Sequence, residues 1–155
     1  MASYAASNDT EKPFAEEGYA LMGAVFEVHK ELGGGLLEEI YQECLEIELA
    51  ERGMPFVAKL PLTTFYKGRR LIKRYVPDLI VHENIVVELK AMGSLISDHE
   101  AQLMNYMRLT RQPVGYLINF APIAKVEWKR IIISEFLQDR TADVSSVASS
   151  NVFPH

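Results

Sequence analysis

Two apolar, β-branched runs separated by a short polar group lie in the middle of the chain. Residues 75–81 and 85–89 flank His82, Glu83 and Asn84. Strong β-formers on both sides of three polar residues are typical of a β-hairpin, and Asn84 is the residue expected to take positive φ in its loop. This pattern predicts a β-hairpin within a buried sheet.

The predicted hairpin carries charged side chains. With residues 82–84 as the loop, Asp78 lies opposite Glu88, and facing Cβ atoms in such a pair are roughly 4.5–5.5 Å apart. The two-residue period of a strand places Lys90 on the same face as Glu88. Two carboxylates and an ammonium group are therefore expected together on an otherwise apolar hairpin.

Charges on a buried sheet face lose hydration, so this cluster needs compensation. A divalent cation would provide it, since Mg²⁺ takes carboxylate oxygens at about 2.0–2.1 Å and keeps waters that a phosphate can displace. Lys90 could then orient or deprotonate the attacking water and stabilise charge on the phosphate. The alternative from spacing alone is a plain salt bridge from Glu88 or Asp78 to Lys90 on a solvated face.

Three short motifs, in order along the chain, resemble those of known nucleases. Pro77-Asp78 followed by Glu88-Leu89-Lys90 resembles the PD-(D/E)xK nuclease signature. Residues 35–41, Gly-Leu-Leu-Glu-Glu-Ile-Tyr, resemble the motif of the bacterial GxxExxY proteins of that superfamily. Residues 102–106, Gln-Leu-Met-Asn-Tyr, resemble the QxxxY motif of its RecB-like and exonuclease branch. The resemblance covers about residues 20–133 and implies a metal-dependent nuclease fold.

The resemblance also implies roles for residues outside the acidic pair. Glu38 would be a metal-facing carboxylate, although by itself it is typical of an acid favoured by the dipole at a helix N-terminus. Leu89 would contribute a backbone oxygen ligand, and Gln102 and Tyr106 would support the lysine, a water or a phosphate. His29 ranks behind these as a metal ligand, because imidazole suits Mn²⁺ better than Mg²⁺ and a lone helical histidine is more often structural.

Charge is segregated along the sequence. The formal net charge is −5, yet residues 1–51 carry 12 acids against two lysines, whereas residues 52–77 carry seven basic residues and no acid. A basic surface beside the hairpin attracts a polyanion. We expect phosphate contacts from Lys67, Arg69, Arg70, Lys73 and Arg74. The alternative is a solvated charged hairpin.

Helical and strand periodicities predict the remaining elements. Apolar spacing predicts helices over residues 14–32, with Pro13 in the first turn, and about 36–52, joined by Gly33-Gly34-Gly35. Residues 56–66 are predicted as a strand interrupted at Pro61, residues 97–110 as a helix, and residues 113–120 and 126–133 as strands. A strand–helix–strand crossover of this length implies parallel pairing between residues 113–120 and the strand from Ile85. The expected fold is α/β, a mixed central sheet flanked by helices with a PD-(D/E)xK, restriction-endonuclease-like core.

The chain of 155 residues is long enough for one domain, which we place at residues 13–137. Residues 1–12 are predicted as a disordered leader and residues 138–155 as a flexible tail, because both are small and polar. No apolar run approaches a membrane span and the first ten residues lack a signal-peptide pattern, so a cytoplasmic location is expected. Cys44 is the only cysteine, which excludes an internal disulfide.

These patterns predict a Mg²⁺- or Mn²⁺-dependent nuclease that hydrolyses phosphodiester bonds, most reasonably in DNA, with a metal-activated water. Asp78, Glu88 and Glu38 would hold the metal. Two alternatives stay open: a non-catalytic nucleic-acid- or protein-binding module that retains the fold, and phosphoryl chemistry on a small nucleotide. A homodimer or a protein partner is compatible with the acidic N-terminal half, and no membrane contact is expected.

Overall fold

The computed structural model describes residues 13–94 and 97–137. The predicted leader, residues 1–12, and the predicted tail, residues 138–155, lie outside the described residues, and the single domain over residues 13–137 stays a prediction. In the part of the chain that is described, no helix combines the length and the apolarity needed to cross a membrane.

Two helices open the fold and pack against each other. Helix α1 spans Ala15–Leu32 and helix α2 spans Glu38–Glu51. Pro13 was predicted in the first helical turn and this is wrong: Phe14 takes a left-handed conformation, with φ of 58°, and α1 begins only after it. A left-handed residue cannot continue a right-handed helix, so Pro13 precedes the helix.

Seven strands and a third helix complete the described chain: β1 (Phe56–Ala58), β2 (Phe65–Tyr66), β3 (Arg69–Arg70), β4 (Leu79–Val81), β5 (Ile85–Lys90), α3 (Ser97–Thr110), β6 (Val114–Asn119) and β7 (Glu127–Ile132). Five strands form one sheet in the order β1-β4-β5-β6-β7, and β2 pairs with β3 in a separate hairpin. Strands β5 and β6 pair in parallel, and the other neighbours in the sheet pair antiparallel. The predicted crossover through α3 is confirmed.

Helices cover both faces of the sheet. On one face, α1 and α2 cluster with alternate residues of β5, such as Val87 and Leu89. On the other face, Leu103 and Met107 of α3 cluster with Val86. Strand β5 is therefore apolar on both sides, as expected for a strand inside a covered sheet. This layered arrangement confirms the predicted α/β fold with a mixed sheet.

The register between β4 and β5 follows the apolar pattern. Leu79 pairs with Val87, so the same register places Asp78, which directly precedes β4, opposite Glu88. Val81 pairs with Ile85, so residues 82–84 form the loop as predicted, and this loop length fixes the register. The two acidic residues are brought together at the start of one hairpin strand and near the end of the other.

The loop of this hairpin differs from the prediction at one residue. His82 and Glu83 take positive φ, with values of 50° and 64°, whereas Asn84 is not among the residues with positive φ. Val81 pairs with Ile85, so the loop has three residues, and its first two are the ones with positive φ. Asn84 instead donates from Nδ2 to the His82 carbonyl oxygen at 3.2 Å.

Residues 56–66 do not form the single interrupted strand that was predicted. Strand β1 ends at Ala58, because Lys59 takes positive φ (53°) and its N–H donates to the Asp78 carbonyl oxygen at 3.2 Å. Beyond Pro61 the chain leaves the central sheet, makes one bridge from Leu62 to Tyr75, and continues into β2. The residues after Ala58 therefore belong to the second hairpin rather than to the sheet.

Candidate metal and nucleic-acid site

Asp78 is held in place through both oxygens of its carboxylate. The residue is 6% exposed, and its side-chain Oδ2 accepts the Leu89 N–H at 2.7 Å. Its Oδ1 pairs with the ammonium group of Lys59. A backbone donor and a cation on a buried carboxylate fix its position opposite Glu88.

Lys59 is a site residue that the sequence did not reveal. Burial alone would lower the pKa of its ammonium group, but the hydrogen bond and the negative charge of Asp78 outweigh burial, so the pKa is raised. Lys59 is 19 residues from Asp78, and no local spacing connects them. The contact arises because Lys59 directly follows β1, the strand that pairs with β4.

Glu88 is half-buried and is contacted by a second residue that the sequence did not single out. The hydroxyl of Tyr75 donates to Glu88 Oε1. Burial, together with the nearby negative charge of Asp78, raises the pKa of the Glu88 carboxyl to about 7 against the opposing effects of Tyr75, Lys90 and Lys59. Glu88 is therefore a carboxyl that gains from a cation placed between it and Asp78.

Tyr106 reaches Glu88 through Tyr75. The two tyrosine rings are stacked, with centroids 4.2 Å apart and planes inclined by 9°. Tyr75 is 6% exposed, and burial together with the Glu88 charge raises the pKa of its phenol. The phenol therefore stays protonated and donates a hydrogen bond to Glu88. The ring of Tyr106, predicted from the QxxxY motif, thus packs on the tyrosine that donates to Glu88.

A cavity of about 290 Å³ opens onto this cluster. Its lining includes residues from three parts of the chain: Lys73, Arg74 and Tyr75; Glu88 and Lys90; His99, Gln102 and Tyr106. Lys90 projects into it from the same side of β5 as Glu88, as predicted from the strand period. The structure thus brings together four predicted residues, Glu88, Lys90, Gln102 and Tyr106, with basic side chains at the rim.

Glu38 approaches the acidic pair from α2. It is the first residue of that helix, and burial followed by the negative charge of Asp78 raises the pKa of its carboxyl, while Lys90 and Lys59 lower it. The carboxylate of Glu38 therefore lies within electrostatic range of Asp78. Helix-dipole stabilisation, the alternative expected for this residue, applies at the same position and does not exclude a role at the site.

Tyr41 sets the joint that positions Glu38. Its hydroxyl donates to the Gly33 carbonyl oxygen at 2.6 Å and accepts the Leu36 N–H at 3.1 Å. Its ring is fully buried and stacks on Phe120 with centroids 4.6 Å apart. The glycine joint was predicted to end α1 with a residue of positive φ, and Gly33 has φ of 71°. Tyr41, the tyrosine of the 35–41 motif, therefore has a structural role: it holds the joint that precedes Glu38.

Two further predicted ligands lie in defined positions. Phe120 N–H donates to the Lys90 carbonyl oxygen, and carbonyls alternate in direction along a strand, so the Leu89 carbonyl points towards Asp78, as its N–H does. His29 contacts the Pro122 carbonyl oxygen through Nε2 at 2.8 Å. A direct role of His29 at a metal stays a prediction, and this nitrogen has a structural partner.

The five basic residues predicted to bind phosphate are all exposed: Lys67, Arg69, Arg70, Lys73 and Arg74. Lys73 and Arg74 reach the cavity that contains Glu88, whereas Arg69 and Arg70 form β3. Lys67 lies over the ring of Tyr66, 5.5 Å from its centroid. The basic stretch is thus a surface that continues into the carboxylate cluster.

The donor set fits a hard divalent cation. Within residues 13–94 and 97–137, no three acidic, histidine or cysteine side chains form a compact metal cage. Mg²⁺ does not need such a cage, since it commonly binds one or two carboxylates and retains several waters. Asp78, Glu88 and the Leu89 carbonyl offer the hard oxygen donors that it prefers.

A carboxylate pair and a lysine thus lie on paired strands of an α/β sheet, within electrostatic range of an acid at a helix start. A sequence profile described as the PD-(D/E)XK nuclease superfamily matches residues 15–131, and the chain belongs to this superfamily. A search of curated proteins gives no match.

Two solved structures are similar to this chain. One is titled "Crystal structure of SSO0001", with 18% identity, a TM-score of 0.48, and coverage of 72% of this chain and 59% of that chain. The other is an alkaline exonuclease (LHK-Exo) from Laribacter hongkongensis, with 11% identity, a TM-score of 0.45, and coverage of 89% of this chain and 82% of that chain. This chain thus spans less than two thirds of the first of these proteins.

Proposed function

We propose that this protein is a divalent-metal-dependent nuclease that hydrolyses phosphodiester bonds in DNA. The observation that carries the proposal is the convergence of Glu88 and Lys90 with basic side chains at one cavity, with Asp78 opposite Glu88 in the register of the hairpin. Membership of the nuclease superfamily supports a nuclease in general. The metal, the DNA substrate and the GxxExxY assignment are our inference.

Asp78, Glu88 and the Leu89 carbonyl would hold the Mg²⁺ or Mn²⁺, with Glu38 as an additional acid beside them. A bound divalent ion supplies Lewis acidity towards a phosphate oxygen and makes a water more nucleophilic. Lys59 pairs with one oxygen of Asp78, and the carboxylate has further lone pairs that could hold the ion. The ammonium group of Lys59 would be close enough to neutralise a phosphate bound there.

Lys90 would act on the reacting groups. Its ammonium group shares the cavity with Glu88, where it can orient the attacking water and stabilise charge that develops on the phosphate. Tyr75 holds Glu88 by a hydrogen bond, and Tyr106 keeps Tyr75 in place by stacking. Gln102, exposed at the rim of the cavity, is placed to contact a water or a phosphate.

The basic surface would bind the sugar–phosphate backbone. Contacts from arginine and lysine to phosphates give affinity and register without reading the base sequence. Lys73 and Arg74 would hold the phosphates nearest the carboxylates, because they line the same cavity. Arg69 and Arg70 would bind phosphates farther along the strand.

A substrate survey tests this proposal. Purified protein is incubated with supercoiled, linear duplex and single-stranded DNA and with RNA, in Mg²⁺, in Mn²⁺ and in EDTA. We expect cleavage of DNA with either ion and none in EDTA. Asp78→Asn, prepared in parallel, controls for contaminating nucleases. Metal-independent cleavage, or binding without cleavage under every condition, would contradict the proposal, and the latter would favour a binding module.

A further inference from the structure

A β-bulge separates the basic hairpin from the catalytic cluster. The Leu71 N–H donates to the Thr64 carbonyl oxygen at 2.9 Å, which extends the pairing of β2 with β3. Leu62 and Tyr75 then exchange backbone hydrogen bonds of 2.6 and 3.0 Å. Two positions separate Leu62 from Thr64, but four separate Leu71 from Tyr75. The second strand therefore carries two extra residues, and such bulges re-aim side chains near active sites.

The bulge is pinned so that Ile72 projects into solvent. Thr64 is 3% exposed, and its hydroxyl donates to the carbonyl oxygen of Lys73, one residue beyond Ile72. The residue before Ile72, Leu71, is held by the backbone bond to Thr64. Between these two anchors the side chain of Ile72 is 101% exposed. A large apolar side chain is thus presented on an anchored backbone.

The surroundings of Ile72 identify the kind of partner. Arg69, Arg70, Lys73 and Arg74 lie within three residues of it, and residues 52–77 contain no acid. An apolar tip surrounded by cations is complementary to a polyanion with an apolar interior. Stacked bases between two phosphate backbones have this character, and minor-groove proteins insert isoleucine and similar residues between base steps.

The distance to the carboxylates matches this use. Three residues separate Ile72 from Tyr75, whose hydroxyl contacts Glu88, so their Cα atoms are at most about 10 Å apart. Base steps along one strand are roughly 3.4 Å apart. Lys73, the residue after Ile72, lines the cavity that contains Glu88 and Lys90, so Ile72 lies within a few base steps of a phosphate bound in that cavity.

We propose that Ile72 is a wedge that enters the base stack of duplex DNA beside the phosphate to be cleaved. This inference rests on the proposed nuclease function and names its substrate class as duplex DNA. Insertion of Ile72 opens one base step and bends the backbone towards the carboxylates. Contacts from Lys73 and Arg74 to the displaced phosphates offset the cost of unstacking.

Fluorescence of 2-aminopurine tests the wedge, because this base brightens when it is unstacked. A duplex with 2-aminopurine at successive positions is titrated with protein in EDTA and in Ca²⁺, and binding is followed in parallel by anisotropy. Wild type is expected to increase the fluorescence at one or two neighbouring positions. Ile72→Ala should bind the duplex but lose most of this increase, and it should cleave duplex DNA roughly tenfold more slowly, the loss expected when one stacking contact is removed.

Three comparisons make the result specific. Ile72→Leu keeps an apolar tip and should behave as wild type, and Ile47→Ala removes an exposed isoleucine from α2 and should change nothing. Cleavage of single-stranded DNA should be nearly unaffected by Ile72→Ala, since no stack has to open. Unfolding temperatures of all variants should match wild type.

Several outcomes would overturn the wedge. Duplex cleavage without any 2-aminopurine signal, or cleavage of single strands alone, would reject the wedge while the nuclease function stands. Absence of both binding and cleavage on every nucleic acid would reject the proposed function and the wedge with it. Loss of self-association in Ile72→Ala by sedimentation, with DNA behaviour unchanged, would assign Ile72 to a protein contact.

Discussion

The hairpin β4–β5 and the hairpin β2–β3 differ in what their side chains contact. In the first, Asp78 and Glu88 are held by Leu89, Lys59 and Tyr75. In the second, the residues of β2 and β3 are all exposed, and the ladder between the two strands consists of two residue pairs. The carboxylates of the first hairpin are therefore held by partners within the fold, whereas the side chains of the second face solvent.

This difference makes mutations in the two hairpins separable. Changes in β4–β5 should alter metal binding, catalysis and stability, because the altered groups are buried and have partners. Changes in β2–β3 should alter affinity alone, because exposed side chains contribute little to folding. A mutation in β2–β3 that lowered stability or metal binding, or one in β4–β5 that altered DNA affinity alone, would contradict this comparison.

The largest effect is expected for Lys90→Met. A catalytic Lys90 acts only on the reacting groups, so the variant should fold and bind Mn²⁺ nearly as wild type, while cleavage falls by roughly 10²–10⁴-fold. Melting with and without Mn²⁺ and cleavage of the substrate found in the survey are the measurements. Lys125→Met removes an exposed lysine elsewhere and is the control. Equal cleavage by Lys90→Met and wild type would refute the assignment.

Loss of metal binding is expected for Asp78→Asn. Asparagine keeps an oxygen for the Leu89 N–H but removes the negative charge. Mn²⁺ affinity measured by calorimetry should therefore fall by about tenfold or more. Glu39→Gln removes an exposed acid next to Glu38 and should leave the affinity unchanged. Unaltered Mn²⁺ binding by Asp78→Asn would show that the acidic pair is a structural ion-pair cluster.

Glu88→Gln should show how strongly the buried acid opposes folding. The pKa of Glu88 is raised from 4.5 to about 7, so the folded protein binds more protons than the unfolded chain between these values. Stability therefore falls as the pH rises through this window, and the full cost is present above it. In EDTA, Glu88→Gln should be more stable than wild type at about pH 8, by on the order of 2 kcal/mol, and not at about pH 4.

Urea unfolding at both pH values measures this difference. Glu83→Gln, in the exposed loop of the same hairpin, is the matched control and should show no such pH dependence. Addition of Mn²⁺ should reverse the order, because a bound cation favours ionised Glu88. If Glu88→Gln is less stable than wild type at high pH without metal, then Lys59 and Lys90 already compensate the acid fully.

The parts of the site that could be predicted are those fixed by local rules. The pairing of Asp78 with Glu88 follows from two β-branched runs and a period of two, and Lys90 follows from the same period. The parallel pairing of β5 with β6 follows from the length of the crossover through α3. Each of these needs only the spacing of residues within one supersecondary unit.

The parts that could not be predicted depend on contacts between units. Lys59 reaches Asp78 because β1 ends at a left-handed residue, and neither the strand end nor the pairing is visible in an apolar pattern. Tyr75 was assigned to a long strand, whereas it lies outside β4 and donates to Glu88. The bulge at Ile72 depends on Thr64, whose polar side chain is buried only in the folded chain. The glycine joint was predicted, but the role of Tyr41 in holding it was not.

The smallest effect is expected from the basic hairpin and sharpens the comparison most. Arg69→Ala combined with Arg70→Ala removes two exposed charges of β3, so folding and Mn²⁺ binding should stay at wild-type values. DNA affinity should fall by roughly tenfold on all sequences alike, and the slope of log affinity against log salt should decrease by about 2, because each phosphate contact releases about one counterion. Anisotropy titrations over a series of salt concentrations measure both quantities.

Lys125→Ala combined with Lys129→Ala makes the same change in net charge on another part of the chain, so it separates a local contact from a general field effect. An unchanged salt slope in the β3 variant would mean that this hairpin is only solvated, and phosphate binding would then be confined to Lys73 and Arg74 at the cavity. A lowered melting temperature would be equally informative, since it would show that β2–β3 contributes to folding and that the two hairpins are not independent.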